Sequence, residues 1–261
     1  MKDFKIIEAA GTPYEIGFAH GQQGREEVLC SIATYQEMFR IYANLEWEEA
    51  KRRSRSYIEH IGRYDSDLME EIRGVAAGAE VELEDILALN ARSEVILMSG
   101  SKMPSDGCTA VAVTSESTQD RHTILAQNWD WKGRQIEAVM VLKISQKDKP
   151  AITMVTEGGI IGKVGFNDAG IGVCLNALGT VGNPYGLPLH IILRGILDSR
   201  KLSDAIQKIN AQPNACAANY LLAAKCGEAL DVEKSPVDFE VFYPEKGMLV
   251  HTNHFLCDRM K

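Results

Sequence analysis

The stretch Asp106-Gly107-Cys108-Thr109-Ala110 sets a cysteine between an Asp-Gly bend and an apolar run that ends at Val113. Glycine tolerates backbone conformations closed to other residues, and a strand beginning at Cys108 would hold the sulfur rigidly. A thiol so placed suits nucleophilic catalysis, which needs a base to take its proton. Two sources of that base fit the chain. In a cysteine–histidine hydrolase, His251 or His254 would serve and the chain would stay whole. In the other mechanism the Gly107–Cys108 bond is cut, and the new α-amine, with a reference pKa of about 7.7–8.0, acts as base near the operating pH. The plain alternative, Cys108 as a small buried core side chain, stands beside both. Asn128, Asp130, Asn176 and Asn253 are polar residues downstream that could complete a site.

Other constellations carry less. Gly158-Gly159-Ile160-Ile161-Gly162-Lys163 is one residue short of a phosphate loop and has Val164 where a magnesium-binding hydroxyl belongs. Gly165 to Gly172 lacks dinucleotide-binding spacing. His251 and His254 have no third metal ligand at helical spacing, so neither a metal nor a bound cofactor is expected. The six cysteines form no CxxC pair and read as reduced thiols. A net charge of −8 and a pI near 5.3 disfavour a nucleic-acid partner. The basic cluster Lys51-Arg52-Arg53-Ser54-Arg55 lies beside Glu46, Glu48 and Glu49 and reads as a solvated helix face. No apolar run approaches the ~20 residues of a membrane span, and the polar start does not resemble a signal peptide. The expectation is an intracellular, cytoplasmic protein.

The elements that must position Cys108 change character at that residue. Phe4, Ile6 and Ile7 predict a short strand over 4–10. Thr12-Pro13 then starts a helix running to about Tyr42, with Gly17, Gly21 and Gly24 marking close packing. Further helices are predicted over 46–62, from Asp65 or Ser66, and from Glu82 to a break at 100–104. After Gly107 the period becomes two. Strands are predicted at 108–113, 123–130, 138–145, 151–157, 161–166 and 170–177, the first two forming a hairpin and all joined by turn-rich links. Helices follow at 188–199 and 202–210, then strands near 218–225, 228–233, 239–243 and 248–252. This order predicts a layered α+β protein in which sheets pack together beneath helices.

The ordered motifs identify a resemblance. They are Gly11-Thr12-Pro13-Tyr14-Glu15-Ile16-Gly17 with His20-Gly21, Glu71 to Glu80, Leu89-Asn90-Ala91-Arg92-Ser93-Glu94, Asp106-Gly107-Cys108-Thr109 and Gln127-Asn128-Trp129-Asp130. Thr156 to Asn167 and His251-Thr252-Asn253-His254 complete the set. Together they resemble the isopenicillin N acyltransferase family, cysteine-type N-terminal nucleophile (Ntn) hydrolases, over essentially the whole chain. The resemblance implies a four-layer αββα sandwich. It implies self-cleavage before Cys108 by an N→S acyl shift, giving an α-chain of residues 1–107 and a β-chain of residues 108–261 that together form one composite domain. Cys108 would then carry the acyl group as a thioester in acyltransferase or amidohydrolase chemistry on an amide, thioester or β-lactam substrate, with acyl-CoA as one donor. Asn253 matches the family's oxyanion-hole asparagine and Asp130 the aspartate that organises polar contacts at the nucleophile. Thr109 matches a residue that assists processing, or is simply a strand threonine. Family chains continue past His254 and supply an arginine near the site, so a fragment or truncated homologue is expected, with a non-catalytic binding module as the alternative function.

Overall fold

The structure, a computed structural model, describes residues 3–100, 107–179 and 185–261. Asp106, half of the expected bend, lies outside the described residues, as does most of the break expected at 100–104. The segment before Cys108 begins with strand β1 (Lys5–Gly11) and continues through α1 (Pro13–Gln23), α2 (Arg25–Ala43), α3 (Trp47–Ser54), α4 (Tyr57–Tyr64), α5 (Ser66–Ala79), α6 (Leu83–Asn90) and α7 (Arg92–Met98). Thr12 caps α1 as its sequence specifies. Its hydroxyl accepts from the Glu15 N–H, and the Glu15 carboxylate accepts from the Thr12 N–H at 2.8 Å.

The helix expected from Tyr14 to Tyr42 divides at Gly24, the one over 46–62 divides around Arg55, and the one from Glu82 divides at Ala91. Hydrophobic periodicity runs across such breaks because each new helix keeps the same face buried. The glycine prediction holds for α1. A Cβ on Gly17 would stand 2.0 Å from the Glu71 carbonyl oxygen, and one on Gly74 would stand 2.1 Å from that of Tyr14. The backbones of α1 and α5 therefore touch, and only glycine permits it.

From Gly107 the chain runs β2 (Gly107–Val113), β3 (Ile124–Asp130), β4 (Val139–Gln146), β5 (Ile152–Glu157), β6 (Val164–Asn167) and β7 (Ile171–Ala177). It continues as α8 (Leu189–Leu197), α9 (Leu202–Asn210), β8 (Ala218–Ala224), β9 (Ala229–Lys234), β10 (Phe239–Phe242) and β11 (Met248–His251). One sheet has eight strands in the order β1-β4-β5-β6-β7-β8-β9-β10; the other has three, β11-β2-β3. The ladders are antiparallel except that of β1 with β4, which is parallel. The first strand of the chain is thus an edge of a sheet otherwise built after Cys108.

Burial explains the strand sequences. Strand β8, Ala-Asn-Tyr-Leu-Leu-Ala-Ala, is buried at every position because helices cover one face of its sheet and the small sheet covers the other. A near-continuous apolar run suits a strand covered on both faces. Strand β2 alternates instead, with Cys108, Ala110 and Ala112 buried against the large sheet. Alanine at two of these positions keeps the sheets close, and Ala110, Ala112, Leu221, Ala223, Ala229 and Leu249 form a small apolar core between them. The helices pack on the opposite face around Met140, Leu142, Tyr220 and Leu222. The layer order is helices, sheet, sheet, three of the four layers of the expected αββα sandwich. The outer face of the small sheet carries no helix among the described residues, and Ile124, Met248 and Val250 are about half exposed there. No helix among the described residues is long and apolar enough to cross a membrane.

Candidate active site

The β2–β3 hairpin opposes Gly107 to Asp130, Cys108 to Trp129 and Ala110 to Gln127. Side chains alternate across a strand, so Cys108, Trp129 and Gln127 face the large sheet. Asp130, Asn128 and Thr109 face away from it. On the other side of β2, His251 pairs with Ala110. The chain leaving β11 therefore arrives level with Cys108. There Asn253 Oδ1 accepts a hydrogen bond from the Cys108 backbone N–H at 2.6 Å, and Asn253 Nδ2 donates to the Ala177 carbonyl at 3.0 Å. An amide group has two N–H donors, which leaves one for a further acceptor.

Asp130 lies against Gly107, the residue preceding Cys108. A Cβ on Gly107 would come within 2.7 Å of Asp130 Oδ2. A side chain at this position would have to turn the exposed Asp130 carboxylate aside, so glycine lets the carboxylate rest against the Gly107 backbone. Of the residues named from sequence, Gly107, Cys108, Asp130 and Asn253 come together at the end of the small sheet. Thr109 and Asn128 lie across from each other on its outer face.

Asn176 faces inward from β7. Its Nδ2 donates to the His251 carbonyl at 3.3 Å, and its Oδ1 accepts from Asn219 Nδ2 at 3.3 Å. His251 is buried, with Nε2 at 2.8 Å from Glu233 Oε1 and Nδ1 at 2.6 Å from the Thr252 carbonyl. Both ring nitrogens are thus engaged by Glu233 and the Thr252 carbonyl rather than by Cys108. His254 Nδ1 shares a 2.8 Å hydrogen bond with Thr252 Oγ1. This geometry turns the two histidines away from the role that a cysteine–histidine hydrolase would give them. Burial pushes the Cys174 thiol, which faces the same interface, up to about 12, so that sulfur stays protonated.

Three further features carried no assigned role in the sequence, although Gln127 and Glu157 fall within the motifs of the resemblance. Gln127 Nε2 donates to the Leu175 carbonyl at 2.7 Å and its Oε1 accepts from the Leu175 N–H at 2.9 Å, joining the two sheets near Cys108. Glu233 and its neighbour Asp231 sit inside the sandwich rather than in solvent. The third is Glu157, at the end of β5. Its carboxylate takes Lys163, Arg92 at 3.0 Å, Gln135 at 2.7 Å and the Tyr35 hydroxyl at 2.5 Å. Burial would raise this carboxyl, but Lys163 and Arg92 outweigh it and hold the group below the usual carboxylate range. The Lys163 ammonium also lies 3.4 Å above the Trp129 ring, and Trp129 opposes Cys108. The Thr156–Asn167 motif, rejected as a phosphate loop, is therefore a packing and charge hub behind the site.

Two stacked sheets with helices on one side define a layered α+β sandwich, with Cys108 near the start of a strand and facing the interface between the sheets. Comparison with known proteins narrows the class. The family described as "Acyl-coenzyme A:6-aminopenicillanic acid acyl-transferase" matches residues 117–261, which include Asp130 and Asn253. The Emericella nidulans protein named "Acyl-coenzyme A:6-aminopenicillanic-acid-acyltransferase 40 kDa form" is 35% identical over 266 residues, covering 97% of this chain and 70% of that protein. The chain belongs to this acyltransferase family. Among solved structures, penicillin V acylase from Agrobacterium tumefaciens aligns with a TM-score of 0.32 at 12% identity, covering 57% of this chain and 45% of that one. A variant of conjugated bile acid hydrolase from Clostridium perfringens aligns at 0.29 and 11% identity, covering 61% and 51%. The chain thus spans about half the length of these two.

Proposed function

We propose that this chain is a self-processing acyl-transfer enzyme whose nucleophile is Cys108. The observation that carries the reading is the 2.6 Å hydrogen bond from the Cys108 nitrogen to Asn253, beside the Asp130 carboxylate at Gly107. Any buried backbone N–H needs an acceptor; what favours the reading is that the acceptor here is the side-chain amide of Asn253, which keeps one N–H beyond its bond to Ala177. In processing, the Cys108 sulfur attacks the Gly107 carbonyl carbon, the C–N bond breaks and the nitrogen takes the thiol proton. Water then hydrolyses the thioester, leaving a Gly107 carboxylate and a free Cys108 with an α-amine.

In turnover that amine takes the thiol proton as sulfur attacks the acyl carbonyl of the substrate. Asn253 Oδ1 orients the amine, and its second Nδ2 hydrogen is available to the developing oxyanion. Asp130, next to Gly107, supports the charge of the freed amine. The leaving amine or thiol departs with a proton, and water or an acceptor amine releases the acyl group. The name of the Emericella relative points to acyl-CoA as donor and a penicillin-nucleus amine as acceptor. For this chain the substrate class is an amide or thioester acyl donor, with hydrolysis and transfer competing at the same thioester.

The two products of cleavage would stay together. Strand β1 belongs to the large sheet, Arg194 of α8 grips Glu71 of α5 at 2.6 and 2.7 Å, and Tyr35 and Arg92 reach Glu157. Intact-mass measurement tests the reading. Two species divided between Gly107 and Cys108, co-eluting under native conditions, are expected. Cys108→Ala is expected to stay whole and to lose acyl transfer; a whole wild-type chain that turns over, or turnover by Cys108→Ala, overturns the proposal.

A further inference from the structure

The sheet registers place a polar row one step inside the nucleophile. Asn176 pairs with Asn219 and Asn219 with Glu233 across the large sheet, and the row faces His251 on the small sheet. The Glu233 carboxylate accepts from His251 Nε2 at 2.8 Å, from the Leu256 N–H at 2.5 Å and from the Cys257 N–H at 3.0 Å. These partners bracket Asn253 on both sides in the chain. His251 in turn holds the Thr252 carbonyl, immediately before Asn253. Its own carbonyl accepts from Asn176, whose neighbour Ala177 accepts from Asn253. The bonds close a ring: Asn253, Ala177, Asn176, His251, Thr252 and back to Asn253.

We propose that Glu233 and His251 are positioning residues for acyl transfer, holding the turn that carries Asn253 against the Cys108 nitrogen. The apolar part of the interface is Ala and Leu with Cys174, which pack the sheets without the desolvation cost that a buried carboxylate and imidazole bring. A polar ring converging on a single asparagine is what an oriented side-chain amide requires, since catalytic groups must be held by locked neighbours. Asp231, one row further in, faces the same space with neither carboxyl oxygen hydrogen-bonded among the described residues. It does not belong to the ring.

The inference rests on Cys108 as the nucleophile, and the experiment separates the two. Acylation of Cys108 by S-phenyl thioacetate, followed by intact mass, depends on the oxyanion donor. Alkylation of Cys108 by iodoacetamide reads thiol access and reactivity without one. Glu233→Gln and His251→Gln are expected to slow acylation tenfold to a hundredfold while alkylation stays within twofold. In an Asn253→Ala background the same substitutions are expected to change acylation less than twofold, because they act through that residue. Wild-type acylation rates in both variants, an equal loss of alkylation, or an undiminished effect without Asn253 would each overturn the positioning role. Absence of acylation in the wild-type chain, or its persistence in Cys108→Ala, instead overturns the nucleophile assignment and the inference with it.

Discussion

The backbone nitrogen of Cys108 donates to the side-chain oxygen of Asn253 at 2.6 Å, across a sequence separation of 145 residues. That contact ties the start of one strand to the turn after another, on the nitrogen that cleavage would convert to an amine. Asn253→Ala is expected to lower the acylation rate of Cys108 by about 10²–10³-fold, the scale of a lost oxyanion-hole donor. Single-turnover acylation followed by intact mass checks this; a change below fivefold would remove Asn253 from the reaction.

Gly107 and Asp130 predict a separation of steric from chemical effects. In a Cys108→Ala background, where every chain stays whole, Gly107→Ala is expected to cost about 1–3 kcal/mol by overpacking against the Asp130 carboxylate. Adding Asp130→Ala should recover most of that stability. In the chain that retains Cys108, the same pair of substitutions should not recover cleavage. Thermal melting reads the first effect and intact mass the second.

Glu157 joins two cations and two neutral donors in a buried cluster. Glu157→Gln leaves Arg92 and Lys163 without their shared countercharge and is expected to cost about 3 kcal/mol, the scale of a broken buried pair. The folded carboxyl lies below its ordinary value, so its stabilisation is complete above the unfolded pKa. It is lost only as pH falls through the lower folded value. Urea titrations should therefore show a constant difference between the two proteins from pH 8 to pH 5.

Asp231 behaves in the opposite sense. Burial, outweighing the attraction of His251, raises its carboxyl to about 6. As pH rises from about 4 to about 6 the unfolded chain ionises there before the folded one, so the folded state holds more protons and stability falls. Asp231→Asn removes this slope. Its stability relative to wild type is expected to improve by on the order of 2 kcal/mol between pH 4 and pH 7. Parallel stability curves over that range would contradict the assignment.

Much of the architecture was legible in the chain. The helix start at Thr12 and Pro13, the change to period two at Gly107, the hairpin ending at Asp130 and the apolar run of β8 are local signals that the structure repeats. Glu233 and Asp231 were not legible as site residues. They alternate with Leu230 and Val232, a pattern that ordinarily marks a solvent face. Here both faces of β9 are covered, so the same alternation directs carboxylates into the protein. The helix breaks at Gly24 and Ala91 were missed for a related reason, since the hydrophobic period survives them.

By itself the sequence determined that a strand begins beside Cys108, and its family resemblance singled out Asn253 and Asp130 among the polar residues that could serve it. Strand and turn chemistry act over a few residues, so their outcome can be read locally. Only the tertiary structure decided that Asn253 reaches the Cys108 nitrogen and that Asp130 fills the space beside Gly107. It also decided that His251 turns toward Glu233, and that β1 joins a sheet otherwise built after Cys108. Those outcomes depend on strand register and on which sheet face is covered, and both are set by long-range pairing rather than by neighbouring residues.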